Sequence, residues 1–540
     1  MNELGRAREI IGVVVKYGFH DWVSKNGLGR YLVTKKKLAR IESYSKWERI
    51  RMALEELGPT FIKLGQILAD RIDIVPMELR EELSRLRDEA DPMPDETAIR
   101  EIEKQLKQPF EEVFRNFNYK RIASASLSQV YQAVLLNGEE VCIKIQRPGI
   151  EKKINLDLNL MNYFAARIQK SNPEMEALDV VGVIREFGRT INKELDFRHE
   201  AANVIRFRHN FEHDPDIYVP KVYLKFTTQK MLVEEFIHGI KVSELDVLLS
   251  KGYDTNALAL RAGRLIFEQI FNHGFFHADP HPGNIFVRDD QVIVFLDYGM
   301  MGSLREEYLR HLGEYVLGYL RRDAREISQA LLAFSGKKIF NRFRDLEFQI
   351  SEMLAQYQYL SLHEMDFGKV MNESIDIIVR FGLHIPPAIF LLIKSLITIE
   401  RVAVTLYPEI DIAAEMKPYA ANLISRQYDP KRIARDVFDY LMEYYKFIRD
   451  LPTEINDLIY RIKEGKFSFP IEHKGFEPLL EHMDMASNRI SMAIVVAGLV
   501  IGASVISRYE DIRWIGTIIF FLAGFFGFWL LIRLFRRNRF

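Results

Sequence analysis

His277-Ala278-Asp279-Pro280-His281-Pro282-Gly283-Asn284, then a short apolar run over 292–295, then Leu296-Asp297-Tyr298-Gly299: this order of residues points to a two-lobed, kinase-like α+β fold. Phosphoryl transfer needs a carboxylate near the attacking hydroxyl or water, and oxygen ligands that hold Mg²⁺ against the β- and γ-phosphates. Asp279 and Asn284 have the D-x-x-x-x-N spacing of a catalytic loop, and Asp297 follows a predicted strand, as the metal-binding aspartate does in such proteins. Asp279 is therefore the candidate catalytic base, and Asn284 and Asp297 are the candidate metal ligands. A rival reading takes the alternation of His277, Asp279 and His281 as a transition-metal site, but it leaves Asn284 and Asp297 without a role. His281 is read as a residue that positions the loop.

Upstream, Val141-Cys142-Ile143-Lys144 resembles the strand whose lysine reaches the α- and β-phosphates. It is preceded by β-rich residues joined through Asn137-Gly138, a strong hairpin signal. Alone, Lys144 could be an edge residue facing solvent; with the loop downstream it becomes a catalytic candidate. Its ion-pair partner is expected on the helix containing Glu194-Leu195-Asp196-Phe197-Arg198-His199-Glu200, at Glu200 or, alternatively, at Glu194. Where a Gly-rich phosphate loop would stand, the chain has Ala123-Ser124-Ala125-Ser126-Leu127-Ser128-Gln129-Val130. There is also no G-x-x-x-x-G-K-[ST] sequence. Alanine makes a stiffer loop than glycine, so nucleotide would be bound with altered phosphate geometry. Ala123, Ser124, Ala125, Ser126, Val130, Lys144 and Glu200 are the expected nucleotide contacts. By analogy with kinases, the adenine edge is assigned to the linker near Glu235 and Ile237.

The 540 residues suffice for several domains, and 48% hydrophobic with 28% charged content indicates a globular chain. A formal net charge of −1 gives no basis for nucleic-acid binding. One cysteine, Cys142, excludes an internal disulfide and is read as a small buried hydrophobe. Periodicity divides the chain into an N-terminal helical extension (1–118), a small mostly-β lobe with a helical insertion (119–238), and a helical lobe (239–480) that is helical from Val242 onward except over 284–297. No secretory signal or transit peptide is evident. Ile10, Val13, Val14 and Tyr17 have helical spacing; with Lys35, Lys36 and Lys37 nearby, they fit either an acidic membrane surface or packing on the next domain.

Residues 490–507 and 514–532 carry no charge, and each is near the length needed to cross a hydrocarbon core of about 30 Å. They predict a two-helix transmembrane hairpin (490–535). Arg508, Arg513, Arg533, Arg536, Arg537 and Arg539 place its ends, and the large domain, in the cytosol. The expected location is the inner (cytoplasmic) membrane, as a multi-pass protein. Gly498 and Gly502 form a small-residue pair suited to close packing within the hairpin or between two copies, as in a homodimer.

Taken together, these residues resemble the UbiB/ADCK atypical kinase-like proteins over roughly residues 20–480. The Ala-rich loop at Ala123–Ser126 is similar to that family's substitute for a Gly-rich loop. Lys63-Leu64-Gly65-Gln66 is similar to its K-x-G-Q motif, and Glu194-Leu195-Asp196 to its E-x-D motif. The resemblance implies ATP and Mg²⁺ as cofactors, and an extension packed over the active site. It implies that Lys63 and Gln66 contact the acids Glu194 and Asp196, blocking protein substrates; Lys63 thereby joins both the catalytic and the regulatory residues. It further implies ATPase or small-molecule kinase activity in ubiquinone or related lipid metabolism. The implied partners are anionic membrane lipids, isoprenoid or quinone precursors, and lipid-biosynthesis enzymes. Ala69, Arg121 and Ser128 depart from residues common in that family. A nucleotide-binding pseudokinase scaffold and a genuine protein kinase are the alternative readings.

Overall fold

The computed structural model describes residues 3–25, 43–71, 74–86, 92–171, 179–337, 339–360, 366–425, 441–442, 444–445, 449, 451–452, 463, 477–508 and 513–536. Lys35, Lys36, Lys37, Arg537 and Arg539 lie outside them. The chain divides into two compact units, Met1–Arg435 and Asp436–Phe540.

The first unit opens with helices α1 (Glu3–Lys16), α2 (His20–Lys25), α3 (Lys46–Leu57), α4 (Pro59–Ala69), α5 (Met77–Leu83) and α6 (Asp95–Leu106). Helix α3 starts at a capping box, in which Ser45 and Glu48 each satisfy the other's backbone N–H. It ends at Gly58, whose φ of +92° suits glycine, and Pro59 then opens α4 where no N–H is needed. Gly65 is required by packing: a Cβ there would lie 2.3 Å from Leu86 Cδ1 and 3.1 Å from Leu54 Cδ1. The apolar face of α1 is covered by protein. Ala7, Ile10, Ile11 and Val13 are buried with Leu57, Phe61, Ile154 and Leu158, so the packing alternative holds over the membrane-surface one. A buried ion pair fixes this helix. Arg6 Nε and Nη2 donate to Asp157 at 2.7 and 3.1 Å, Nη2 also donates to Leu57 O at 2.9 Å, and Thr60 donates to Asp157 at 2.6 Å.

Strands β1 (Phe114–Phe117), β2 (Ala123–Ser124), β3 (Ser128–Leu135) and β4 (Glu140–Gln146) follow. The Asn137-Gly138 turn joins β3 to β4, with Gly138 at φ +88°. Helices α7 (Ile150–Ser171), α8 (Val180–Glu194) and α9 (Phe197–Asn210) come next, then β5 (Ile217–Tyr218) and β6 (Met231–Glu235). The first sheet is antiparallel, in the order β1-β3-β4-β6, with β2 on β3. Its period-two alternation buries Val141, Ile143 and Ile145 on one face and leaves Cys142 and Lys144 on the other. Cys142 is therefore only partly covered, which corrects the buried-hydrophobe reading. Burial still pushes its thiol pKa up.

The rest of the unit holds β7 (Ile240–Lys241), α10 (Leu245–Ser250), α11 (Thr255–Phe267), a π-helical turn (Glu268–Asn272), β8 (Phe275–His277), β9 (Ile285–Val287), β10 (Ile293–Phe295) and β11 (Met301–Ser303). Helices α12 (Glu306–Arg321), α13 (Ala324–Phe334), α14 (Phe343–Ala355), α15 (Phe367–Arg380), α16 (Pro387–Leu406) and α17 (Ile412–Ser425) complete it. A second sheet runs β5-β10-β9-β7, and β11 pairs with β8. Short strands β8 and β11 thus interrupt a region read as helical outside 284–297. At three residues each, they are too short to show a period in the sequence.

In the second unit, α18 (Glu477–Ile506) and α19 (Arg513–Arg536) pack on each other. Among the described residues no helix is long and apolar enough to cross a membrane, so the expected transmembrane hairpin is not supported. The uncharged part of α18, residues 490–506, rises only ~26 Å at 1.5 Å per residue, against a hydrocarbon core of about 30 Å. Both helices nonetheless expose large apolar side chains, among them Ile494, Ile501, Phe521 and Phe525.

Candidate functional site

Lys144 Nζ stands 2.7 Å from Glu200 Oε1 and 3.4 Å from Asp297 Oδ1. Strand β4, helix α9 and the loop after β10 thus converge on one cation. Glu200, the first of the two sequence candidates, is the lysine's partner on α9; the side chain of Glu194 goes elsewhere. Burial disfavours the Lys144 charge, but Asp297 and Glu200 outweigh it and push its pKa well above the usual lysine value. Burial raises Glu200. Asp297 is held down at about 2, chiefly by Lys144, against desolvation and with help from Lys63. Its side chain is 54% exposed, and its φ of +60° is uncommon for a residue other than glycine.

The catalytic-loop residues lie between β8 and β9. His277 is buried; its Nε2 lies 3.1 Å from Leu296 O, and its Nδ1 accepts from Asp279 N. Desolvation lowers its pKa, favouring the neutral ring. His281 accepts from Gly283 N and caps the turn Pro282–Asn284. Both histidines therefore position the loop, and among the described residues no group of three or more His, Cys, Asp or Glu side chains is arranged to hold a metal ion. Asn284 O accepts from Leu296 N at 2.8 Å, tying the asparagine to the segment that carries Asp297. An ionised, half-exposed carboxylate is an oxygen ligand of the type Mg²⁺ takes, with water and phosphate completing the shell.

The Ala-rich loop is pinned by a residue that sequence reading passed over. Arg147 Nε donates to Ala125 O at 3.0 Å, and its Nη2 donates to Ser124 Oγ at 2.9 Å. Ser126 is buried, and Val130 pairs with Ala123 across β2 and β3. Glu235 ends β6; its carboxylate accepts from Tyr218 Oη at 2.7 Å. The main chain of Ile237 makes no hydrogen bond among the described residues.

Lys63 and Gln66 part company. Lys63 Nζ lies 2.5 Å from Glu194 Oε1, as the resemblance implies. Gln66 Nε2 instead donates to Leu86 O at 3.2 Å. Asp196 caps α9 and pairs with Arg198 at 2.6 Å. A cap is the usual work of an aspartate at a helix start, so the expected contact of Gln66 with these acids is absent. The same end of α4 brings in Arg71, 2.8 Å from Glu186, and Asp70, 3.1 Å from Lys394 Nζ on α16. Lys394 Nζ is also 3.8 Å from Asp279 Oδ2. Neither Asp70 nor Lys394 carries a sequence signal: Asp70 is one of several charges just past an apolar helix, Lys394 a lone charge within another, and they are brought together only by the fold.

Residues 85–331 match the ABC1 atypical kinase-like domain, 350–411 the UbiB helical domain, and 474–536 the ABC1/UbiB kinase-like C-terminal domain. The chain is similar to the probable protein kinase UbiB of Marinobacter nauticus, with 33% identity over 481 residues, 88% of this chain and 87% of that one. It is similar also to the probable protein kinase UbiB of Vibrio parahaemolyticus, with 34% identity over 474 residues, 86% and 87% of the two chains. One solved structure, the complex of Rv3197 with erythromycin from Mycobacterium tuberculosis, aligns with a TM-score of 0.42 and 24% identity over 66% of this chain and 94% of that one.

Proposed function

Because the chain belongs to the ABC1/UbiB atypical kinase-like family, we propose that it binds Mg-ATP between its first and second sheets and transfers the γ-phosphoryl group to water or a small molecule. The observation that carries this reading is the contact of Lys144 with both Glu200 and Asp297. A strand lysine paired with a helix glutamate, beside a metal-binding aspartate, is the arrangement that phosphoryl transfer in kinases requires. Asn284 and Asp297 would hold Mg²⁺, which supplies charge neutralisation at the phosphates when bound. Asp279 takes the proton of the attacking water or hydroxyl. The nucleophile's oxygen bonds to the γ-phosphorus as the bond from that phosphorus to the β–γ bridging oxygen breaks, and the electron pair leaves with ADP. Arg147 fixes the Ala-rich loop over the phosphates, and the main chain at Glu235 and Ile237 meets the adenine edge.

In the same reading, the chain serves ubiquinone or another isoprenoid-lipid pathway beside a bacterial membrane. The exposed apolar side chains of α18 and α19 support lipid contact, since a surface of this kind is seldom left to water. Lys63 on Glu194 supports exclusion of protein substrates by the extension. One observation favours the alternative of a nucleotide-binding scaffold: Lys394 pairs with Asp279, the proposed base. ATP hydrolysis by the detergent-purified chain, with and without anionic lipid and a quinone-precursor mimic, separates the two. Turnover that rises with lipid and disappears in Asp297→Asn supports the enzyme. Saturable Mg-ATP binding with no turnover under any condition supports the scaffold.

A further inference from the structure

We infer that Lys394 is a second phosphoryl-facing cation of the site, and that Asp70 of the N-terminal extension holds it as an electrostatic latch in the conformation described here. This rests on the phosphoryl-transfer reading above.

Helix α16 is a core helix: Ile389, Phe390, Leu392, Ile393, Leu396 and Ile399 are buried. A lysine amid such residues is costly unless its charge is answered. Lys394, 27% exposed, is answered twice, by Asp70 at 3.1 Å and by Asp279 at 3.8 Å. Its place relative to the catalytic loop is fixed by the next residue, since Ser395 Oγ donates to His277 O at 2.8 Å and both groups are buried. Lys394 therefore stays beside Asp279 whatever the extension does. Asp70 arrives from the other side, at the C-terminal cap of α4, two turns after Lys63 and so near the same helical face.

Two carboxylates share one ammonium group. That group is pushed up against its own desolvation by Asp70 and then Asp279, while burial pushes Asp70 up. Asp70 is thus a carboxylate at some cost in its present place. Phosphoryl transfer needs fixed cations where negative charge develops, and a lysine ammonium suits phosphate as a compact point charge. Lys394 is positioned to supply that charge next to the base. While Asp70 is paired with it, part of its field is spent on a carboxylate of the extension. Removing Asp70 frees the cation without touching the proposed nucleotide contacts.

The test uses the full chain in detergent, with ATP hydrolysis, Mg-ATP binding by a fluorescent analogue, and melting temperature measured side by side. Asp70→Asn is expected to raise kcat ~5- to 20-fold, the size of a typical coupling between sites, with the Mg-ATP Kd unchanged. Lys394→Ala is expected to lower kcat ~100-fold, as loss of one preorganised charge does, with partial rescue in Lys394→Arg. The double variant should fall to the level of Lys394→Ala. A merely structural pair would lower the melting temperature in each variant and give no gain in kcat. Unchanged or reduced kcat in Asp70→Asn at wild-type Kd overturns the latch, as does a gain that survives Lys394→Ala. Asp70→Ser decides the matter should Asp70→Asn fail to fold. Absence of Mg-ATP binding in the unaltered chain, or binding indifferent to Asp297→Asn, is a different result: it removes the phosphoryl-transfer reading itself.

Discussion

Lys144 and Lys394 are each ringed by two acids, yet they come to that state by opposite routes. Lys144 leaves the open face of a short strand, in a stretch whose alternation is visible in the sequence, and one of its two acids, Asp297, follows at motif spacing. Lys394 sits within an apolar helix, and its nearer acid, Asp70, is 324 residues away. The first cation belongs to the antiparallel first sheet; the second belongs to a junction of the extension, the loop after β8 and the helical domain. A local motif can state what chemistry a site has. How that chemistry is restrained depends on long-range neighbours that no spacing announces.

The sharpest challenge to this contrast lies at the residue between the two lysines' territories. Asp279→Asn should reduce turnover by roughly 10²–10⁴-fold, the range of a lost general base, while leaving Mg-ATP affinity within a few-fold. Steady-state hydrolysis beside equilibrium binding would measure it. Turnover that survives would mean that Lys394 pairs with a structural acid, and the scaffold reading would gain.

Next in size is the support of the extension itself. Arg6 and Asp157 are 1% and 0% exposed. Arg6→Ala strands the Asp157 carboxylate without its cation, an event that costs about 3–5 kcal/mol in buried pairs. Chemical denaturation followed by tryptophan fluorescence should show it. A loss below ~1 kcal/mol, the worth of a surface pair, would mean that the extension is not rigidly seated, and the latch would lose its footing.

A smaller effect isolates the Lys144 side. Asp297→Asn is expected to weaken Mg-nucleotide binding ~10- to 100-fold, as loss of a metal-site oxygen does. Titration calorimetry with and without Mg²⁺ reads this directly. Unchanged affinity would sink the assignment of Asp297 to the metal.

These residues also mark how far the sequence could be read. The Asn137-Gly138 hairpin, Lys144, and the Asp279, Asn284 and Asp297 spacing were legible because each is a local pattern with a local cause. The choice of Glu200 over Glu194 was not, because α8 and α9 are broken at Leu195 and Asp196 and turn the two acids to different lysines. Gln66 shows the limit of resemblance: the motif is present, but its amide serves the carbonyl of Leu86. Cys142 could have been placed correctly, since period-two alternation puts it on the face of Lys144 rather than with Val141 and Ile143. Arg147, Asp70 and Lys394 left no trace, because a charge just past a strand or helix end, or alone within an apolar helix, is ordinary until the fold names its partner.

One acid tests how much attraction Lys144 has left to give. Glu234 on β6 pairs across the sheet with Cys142, so it shares the face of Lys144, and among the described residues its carboxyl makes no hydrogen bond. Burial, and then the neighbouring Glu200, push its pKa up to about 8; Lys144 counters this only in part, being already committed to Glu200 and Asp297. An unfolded glutamate titrates near 4.3, so between that value and about 8 the folded chain holds a proton that the unfolded chain has released. Stability from this group is therefore full below the unfolded value and is lost as pH rises through the folded one. Glu234→Gln is neutral throughout. Its melting temperature should draw ahead of the unaltered chain's between pH 6 and pH 8, by roughly 3–6 °C. A difference that stays flat over that range would mean that Glu234 is already ionised, and that Lys144 holds three carboxylates rather than two.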